Sequence, residues 1–313
     1  MQSRPMTEDV TVMIPTLDEA ATIGDVVEGF VERGYEHVLV IDGGSSDDTQ
    51  EIAREAGARV IEQSGTGKGD AMMQGFAQID TEYVLVLDGD GTYLPKDAEA
   101  LLEPLRSGEA EHVVGNRFAD IQSGAMPRLN QVGNKLINWA YRTIHQREHY
   151  DILSGYRAMT VDSLDRMNLS AEGFGIETEM CVECVRHGID SMEVPITYET
   201  RPAGSETNLH PIKDGGTIIV TLYRLAKTNN PLFYFGSFGT VALLTGLAIA
   251  SYVGYDWFVN RVPHEVLAVV AAAGILVGIQ LIMFGFLSDM IVALHRDQRR
   301  RIERVERRFD DED

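Results

Sequence analysis

The segment from Leu87 to Tyr93 reads LDGDGTY. Asp88 and Asp90 flank a glycine just after an apolar run. Two carboxylates at that spacing can hold a hard divalent cation that also takes diphosphate oxygens. Such a cation neutralises charge as a nucleoside diphosphate departs. Taken alone, the same pattern fits a polar turn that caps the next helix. A second segment, IDGGSSDDT from Ile41 to Thr49, joins a tight Gly/Ser turn to Ser46, Asp47 and Asp48, each able to cap the helix that follows. Capping leaves Asp42 unexplained, and at a strand end it is placed to accept a hydrogen bond from a base. A third segment, GTGKGDA from Gly65 to Ala71, carries Lys68 on a glycine loop. It is either a loop that reaches a diphosphate or an ordinary loop before a helix.

Two other nucleotide-binding patterns fail. A phosphate loop needs a glycine five positions before Gly67 and a hydroxyl residue after Lys68, but Glu62 and Gly69 stand there. The dinucleotide fingerprint is missing after the first strand, where Ile14-Pro15-Thr16 stands instead, which removes the main reason to expect a dehydrogenase.

These residues need a scaffold. Strand-like apolar runs lie at Val10 to Pro15, His37 to Asp42, Ala58 to Gln63, Tyr83 to Asp88 and Glu111 to Asn116. Helical patterns separate them at Ile23 to Arg33, Thr49 to Gly57, Gly69 to Ile79 and Asp97 to Arg106, and another runs from Glu177 to His187. Such alternation predicts an α/β fold with a mainly parallel sheet covered on both faces. Ligands of these sheets bind at the carboxyl ends of the strands, so Asp42 and Asp88 should face one crevice.

Further on, residues 232–255 and 266–288 are long, apolar and free of charge. Each exceeds the about 20 residues that cross a bilayer core, and the short link between them makes a transmembrane hairpin. Gly236, Gly239, Gly246 and Gly278 suit close helix packing, with Gln280 as a polar contact between helices. Arg224 and Lys227 precede the hairpin, and Arg296, Arg299, Arg300, Arg301, Arg304, Arg307 and Arg308 follow it, whereas the link holds only Arg261. The excess of cations at both ends places both termini, and the catalytic domain, on the cytoplasmic side of a cell membrane. The expected division is a catalytic domain over 1–210, an interfacial amphipathic helix over 211–230, the hairpin over 231–289 and a basic tail over 290–313.

The chain has 313 residues and a formal net charge of -21, which excludes nucleic acid as a partner. Lysine stands only at Lys68, Lys96, Lys135, Lys213 and Lys227. An acidic, lysine-poor surface suits a protein that stays soluble in concentrated salt. Cys181 and Cys184 form a lone C-x-x-C without the second pair of a structural zinc site, and read as reduced thiols.

Together, and in this order, IPTLDEA (Ile14 to Ala20), IDGGSSDDT, GKGDA, LDGDGT, GNR (Gly115 to Arg117), DILSGYRAM (Asp151 to Met159) and TRPAGS (Thr200 to Ser205) resemble the dolichol-phosphate mannose and glucose synthases of glycosyltransferase family 2. The likeness extends to the archaeal dolichyl-phosphate hexosyltransferases of N-glycan assembly. It implies a GT-A-like nucleotide-sugar-binding domain and transfer of one hexose, with inversion, from a nucleotide sugar to dolichyl or polyprenyl phosphate. UDP-glucose is the favoured donor and GDP-mannose the other. By the same resemblance Pro15, Leu17, Glu19 and Asp42 line the nucleoside pocket. Asp88 and Asp90 are the catalytic pair and bind Mg2+ or Mn2+ with the diphosphate, with Thr92 beside them. Arg117 and Arg128 face the lipid phosphate, and Arg201 and Ser205 lie on a loop closing over the donor. Arg117 follows a strand and precedes a polar loop, so it should sit at the crevice rim, with Asp120 as an alternative partner. Gly43 and Asp48 depart from the family's Asp-Asp-Gly-Ser pattern and its usual glycine, and Thr92 replaces a metal-binding Gln of some relatives. Two rival readings are a family 2 enzyme for another lipid, and a membrane-bound nucleotide-sugar sensor or scaffold without turnover.

Overall fold

The computed structural model describes residues 7–122, 124–145, 149, 151–170, 175–202, 216, 223 and 230–310. The chain divides into two compact units, Met1–Leu222 and Tyr223–Asp313.

The first unit is built on a seven-stranded sheet with the order β3-β2-β1-β4-β6-β5-β7. Its strands are β1 (Val10–Thr16), β2 (His37–Asp42), β3 (Arg59–Glu62), β4 (Tyr83–Val86), β5 (His112–Ile121), β6 (Arg157–Thr160) and β7 (Ser191–Tyr198). β3, β2, β1 and β4 run parallel, as do β5 and β7, and β6 is wedged antiparallel between β4 and β5. β1 is buried at every position, as a central parallel strand must be. Its side chains alternate between two apolar clusters. Val10, Val12 and Ile14 meet helices α1 (Ile23–Val31) and α4 (Ala98–Arg106) on one face. Met13 joins α3 (Lys68–Phe76) and α7 (Ile176–His187) on the other. The remaining helices of this unit are α2 (Thr49–Glu55), α5 (Arg128–His145) and α6 (Val161–Asp165).

The second unit is a helical hairpin of α8 (Pro231–Tyr255) and α9 (Glu265–Asp310), joined through a π turn at Asp256–Asn260. Asn230 caps α8 by accepting the Phe233 N–H at 3.1 Å, and Pro231 fills the first turn, where no N–H is needed. Both helices are long and apolar enough to cross a membrane, over Pro231–Asn260 and Glu265–Leu294. Their backbones meet at glycines: a Cβ added at Gly278 would lie 2.6 Å from the Leu243 nitrogen and 2.7 Å from the Gly239 carbonyl oxygen. Gly246 is equally tight against Ala271 and Ile275, whereas Gly236 has only a distant Leu232 contact and takes no part. Gln280 is exposed, so the expected polar contact between the helices is not made there. The basic tail continues α9 without a break as far as Asp310. The interfacial helix expected over 211–230 lies almost wholly outside the described residues.

Candidate active site

The carboxyl ends of β1, β2 and β4 converge, and the loops that follow them are tied together by side chains. Asp18, in a left-handed conformation at φ 55°, accepts the Ser46 N–H at 2.7 Å and the Ser46 hydroxyl at 3.1 Å. Its own N–H donates to the Ser45 hydroxyl at 2.9 Å. The Glu19 N–H donates to Thr49 Oγ1 at 2.8 Å and the Ala20 N–H to Asp47 at 3.2 Å. Asp48, at the N-cap of α2, makes no side-chain capping bond, and the IDGGSSDDT loop instead clamps the loop after β1. Asp42 organises it from within. Fully buried, its carboxylate receives the N–H groups of Gly44 and Ser45, the Ser45 hydroxyl and the Gln50 amide. The carboxylate expected to await a base is therefore already met by four donors of its own loop. Pro15 is buried in β1 opposite Ile41, and Leu17 beyond it, 41% exposed, offers the apolar surface at this edge.

The Asp88-Gly89-Asp90 turn sits beside this clamp. Asp90 Oδ1 accepts both the N–H of Thr92 at 3.0 Å and its hydroxyl at 2.6 Å, which fixes the carboxylate. The Thr92 hydroxyl, expected beside the metal, is buried and donates to Asp90. The other oxygen, Oδ2, meets Arg201 Nη2 at 2.5 Å, and Arg201 Nη1 lies 3.5 Å from Glu19. Asp88 is matched by Lys68, whose Nζ lies 2.5 Å from Asp88 Oδ1 and 2.6 Å from Glu177 Oε1. Burial alone would push the Lys68 pKa down, but the two carboxylates override it and hold the ammonium well above its usual value. Asp88 fits because residue 155 is glycine: a Cβ there would lie 2.6 Å from Asp88 Oδ2. DILSGYRAM thus contributes a gap to the site, and Glu177, in the first turn of α7, contributes a charge. Sequence reading missed Glu177, because a lone acid at a helix start signals no direction.

Two carboxylates with only oxygen donors suit a hard cation. Among the described residues no group of three or more His, Cys, Asp or Glu is arranged to hold a metal ion by itself, so Asp88 and Asp90 would share such a cation with diphosphate oxygens. That is how magnesium-type ions are commonly held.

The structure places Arg117 differently from the rim position expected. It is buried, and its backbone N–H, Nε and Nη2 all donate to Asp151, at 3.0, 2.8 and 2.7 Å. Asp120 is exposed and plays no part in this. Burial alone would lower the Arg117 pKa, but Asp151 overrides it and holds the guanidinium charged. The Tyr198 ring packs against it, 5.4 Å from centroid to guanidinium carbon. GNR and DILSGYRAM are hence two halves of one internal clasp. Arg128 is exposed at the first position of α5. Arg201 is brought onto Asp90 and Glu19, and Ser205 lies outside the described residues.

The glycosyl transferase family 2 profile matches residues 11–165, which hold the two clamped loops and the Asp88-Asp90 pair. Glycosyltransferase AglJ of Haloferax volcanii is 55% identical over 96% of this chain and its own full length. The same organism's dolichyl-phosphate hexose transferase is 33% identical, over 67% of this chain and 91% of its own. Among solved structures, glucosyl-3-phosphoglycerate synthase from Mycobacterium tuberculosis with Mn2+, UDP and its glucosylated product aligns with a TM-score of 0.59 at 23% identity. The match covers 70% of this chain and 80% of that one. That likeness shows a GT-A-like fold. With the sheet order, the clamped loops and the paired aspartates in hand, this chain belongs to glycosyltransferase family 2.

Proposed function

We propose that the chain transfers one hexose from a nucleotide sugar, UDP-glucose foremost, to dolichyl or polyprenyl phosphate at the cytoplasmic face of a membrane, as an early step of protein N-glycosylation. The observation that carries this reading is the arrangement of charge at the β1, β2 and β4 ends. Each aspartate of the pair is partnered by one side-chain cation, Asp88 by Lys68 and Asp90 by Arg201. The acceptor class is supported by the two apolar helices and by the likeness to the Haloferax dolichyl-phosphate hexose transferase.

A nucleotide sugar brings its own anion. Its diphosphate would draw Lys68 and Arg201 off the aspartates, so that the same two cations steady the leaving group. Charge placed in advance at the departing oxygen is a large term in such reactions. A divalent cation held by Asp88 and Asp90 would supply further neutralisation of that diphosphate. Glu177 keeps a partner for Lys68 throughout. The base sits against Leu17, on the loop clamped through Asp18 and Glu19. The acceptor is a phosphate monoester of about -1.5 to -2 charge near neutral pH, so no general base is required. Catalysis then rests on holding the two reactants in line. Arg128 takes the acceptor phosphate, while Arg117, its charge met by Asp151, holds β5 to the segment that carries Asp151.

The test is to incubate membranes containing the chain with labelled UDP-glucose, GDP-mannose and other nucleotide sugars, and to identify the glycolipid formed. A polyprenyl-phosphate hexose is expected. Donor binding without any labelled lipid would favour a sensor, and a different labelled lipid would move the reading to another acceptor.

A further inference from the structure

Helix α9 uses one side against α8. Ala271, Ile275 and Gly278 lie against Gly239 and Gly246 there. The opposite side carries a second pattern. Ala273, Leu276, Gln280, Met283, Leu287 and Met290 alternate steps of three and four, the repeat of a helix that packs along a seam with another, and all are exposed.

The apolar members of that seam need no partner, because lipid tails are as apolar as leucine. Gln280 is different. Between Glu265 and Asp289, the flanking charges, it lies about 13 Å of helix from the nearer one, well inside a bilayer core about 30 Å thick. Among the described residues its amide has no hydrogen-bond partner. A hydroxyl in the same setting turns back onto its own helix, as Ser251 does to the Leu247 carbonyl at 2.8 Å. A carboxamide brings two N–H groups and a carbonyl, more than a helix already hydrogen-bonded along its length can meet.

We propose that this seam pairs α9 with α9 of a second copy of the chain, and that Gln280 is the contact that fixes the pair. Two copies inserted the same way are related by a two-fold axis along the membrane normal. Their α9 helices then run parallel, and each seam residue meets its own counterpart. A carboxamide suits such a self-match, since the N–H of each can donate to the carbonyl oxygen of the other. A carboxylate or an ammonium at this position would repel its twin. One polar residue at a core position of a seam also sets the register, because any slip leaves the amide among apolar groups. The side of α9 that holds α8 stays engaged, so the hairpin is unchanged by pairing. This rests on the membrane reading of α8 and α9 but not on the transfer reaction.

The test uses the full chain, carrying a donor or an acceptor fluorophore at its N-terminus, in vesicles of phosphatidylglycerol and phosphatidylcholine. Flotation with the vesicles is checked first. Energy transfer is then followed as lipid is added. The native chain should stay paired well beyond the dilution at which chance encounters vanish. Gln280→Leu, outside the catalytic residues, should need about five- to thirtyfold more protein per lipid to pair as well, the equivalent of about 1–2 kcal/mol for a hydrogen bond between helices. Gln280→Asn should recover part of the loss. Single added cysteines locate the seam. Oxidation with copper phenanthroline should join Leu276→Cys and Met283→Cys into disulfide dimers. Ile279→Cys and Phe286→Cys, exposed but off the seam, should stay monomeric. Native Cys181 and Cys184 are buried, and the chain without an added cysteine gives the background. Energy transfer that falls with chance encounters overturns the proposal and leaves Gln280 to lipid or to a different protein. Pairing that Gln280→Leu leaves unchanged overturns it too, as do crosslinks equal on and off the seam. A chain that does not float removes the membrane reading itself, and the proposal with it.

Discussion

Arg117 and Arg201 both pair with carboxylates, in opposite settings. Arg117 gives three hydrogen bonds to Asp151, and the two side chains are 10% and 0% exposed. Arg201 spreads its two terminal nitrogens over Asp90 and Glu19, at 2.5 and 3.5 Å, and its side chain is 28% exposed. The first pair cannot exchange partners without leaving a charge stranded in the interior. In the second the arginine reaches the surface while Asp90 and Glu19 are 6% and 10% exposed. Under the proposed function an incoming diphosphate takes the arginine, and a divalent cation takes its place on the carboxylates. The first contact therefore holds the fold, and the second is one that substrate opens.

The largest effect should come from breaking the clasp. Arg117→Ala leaves Asp151 buried and unpaired, and removing one member of a buried pair costs about 3–5 kcal/mol. Urea or thermal unfolding of the solubilised chain should show that loss. An unchanged midpoint would mean that the clasp is not structural and would return Arg117 to a purely phosphate-binding role.

On the open side the loss should fall on activity. Asp90→Asn keeps Oδ1 as an acceptor for the Thr92 N–H and hydroxyl, so the turn should survive. The charge toward Arg201 and any divalent cation is lost. Transfer should drop by about 10²–10³-fold, as when one preorganised electrostatic group is removed. The unfolding midpoint should stay put, and chelation of divalent ions should mimic the variant. Full transfer in chelator, with no divalent ion bound, would dismiss the cation. Arg201→Ala comes next. A lost hydrogen bond to a charged group is worth about 1.5–3 kcal/mol, so nucleotide-sugar affinity should fall about ten- to a hundredfold by calorimetry. Stability should barely change, and a large loss of stability would erase the contrast with Arg117.

How much of this was legible depends on whether the signal was local. β1 to β5, α1 to α4 and α7 follow apolar periodicity and turn residues, and they were readable within a few positions. β6 was not: it is four residues long, RAMT, and its Arg157 is fully buried. That guanidinium is satisfied by the carbonyls of Ser154 and Ile152, at 2.8 and 2.5 Å, which no sequence pattern announces. β7 contains Pro195, which weakens a strand reading, yet it lies at the sheet edge, where a missing N–H is tolerated. In the site, Asp88, Asp90, Lys68 and Arg201 stood out because motifs flanked them. The partners Glu177 and Asp151 come from distant segments, and charge complementarity across such distances leaves no periodic trace. α5 was not read either, although Leu129, Val132, Leu136 and Trp139 recur at helical spacing within it.

The smallest expected effect is also the sharpest test of the comparison. A lysine keeps the charge of an arginine but loses the planar fork. At position 117 the fork is essential, because Nε and Nη2 address both oxygens of one carboxylate in a site closed to water. Arg117→Lys should be nearly as unstable as Arg117→Ala, with one Asp151 oxygen left unmet. At position 201 the two nitrogens address different carboxylates, the farther at 3.5 Å, so the fork matters less than the charge. Arg201→Lys should bind nucleotide sugar within about tenfold of the native chain, the equivalent of one ordinary hydrogen bond of about 0.5–1.5 kcal/mol. The measurement is the pair of lysine variants side by side, unfolding midpoint for one and donor affinity for the other. Equal rescue at both positions would show that Asp151 needs only a positive charge. Equal failure would show that Arg201 grips the diphosphate through its fork, making the open contact as geometrically demanding as the closed one.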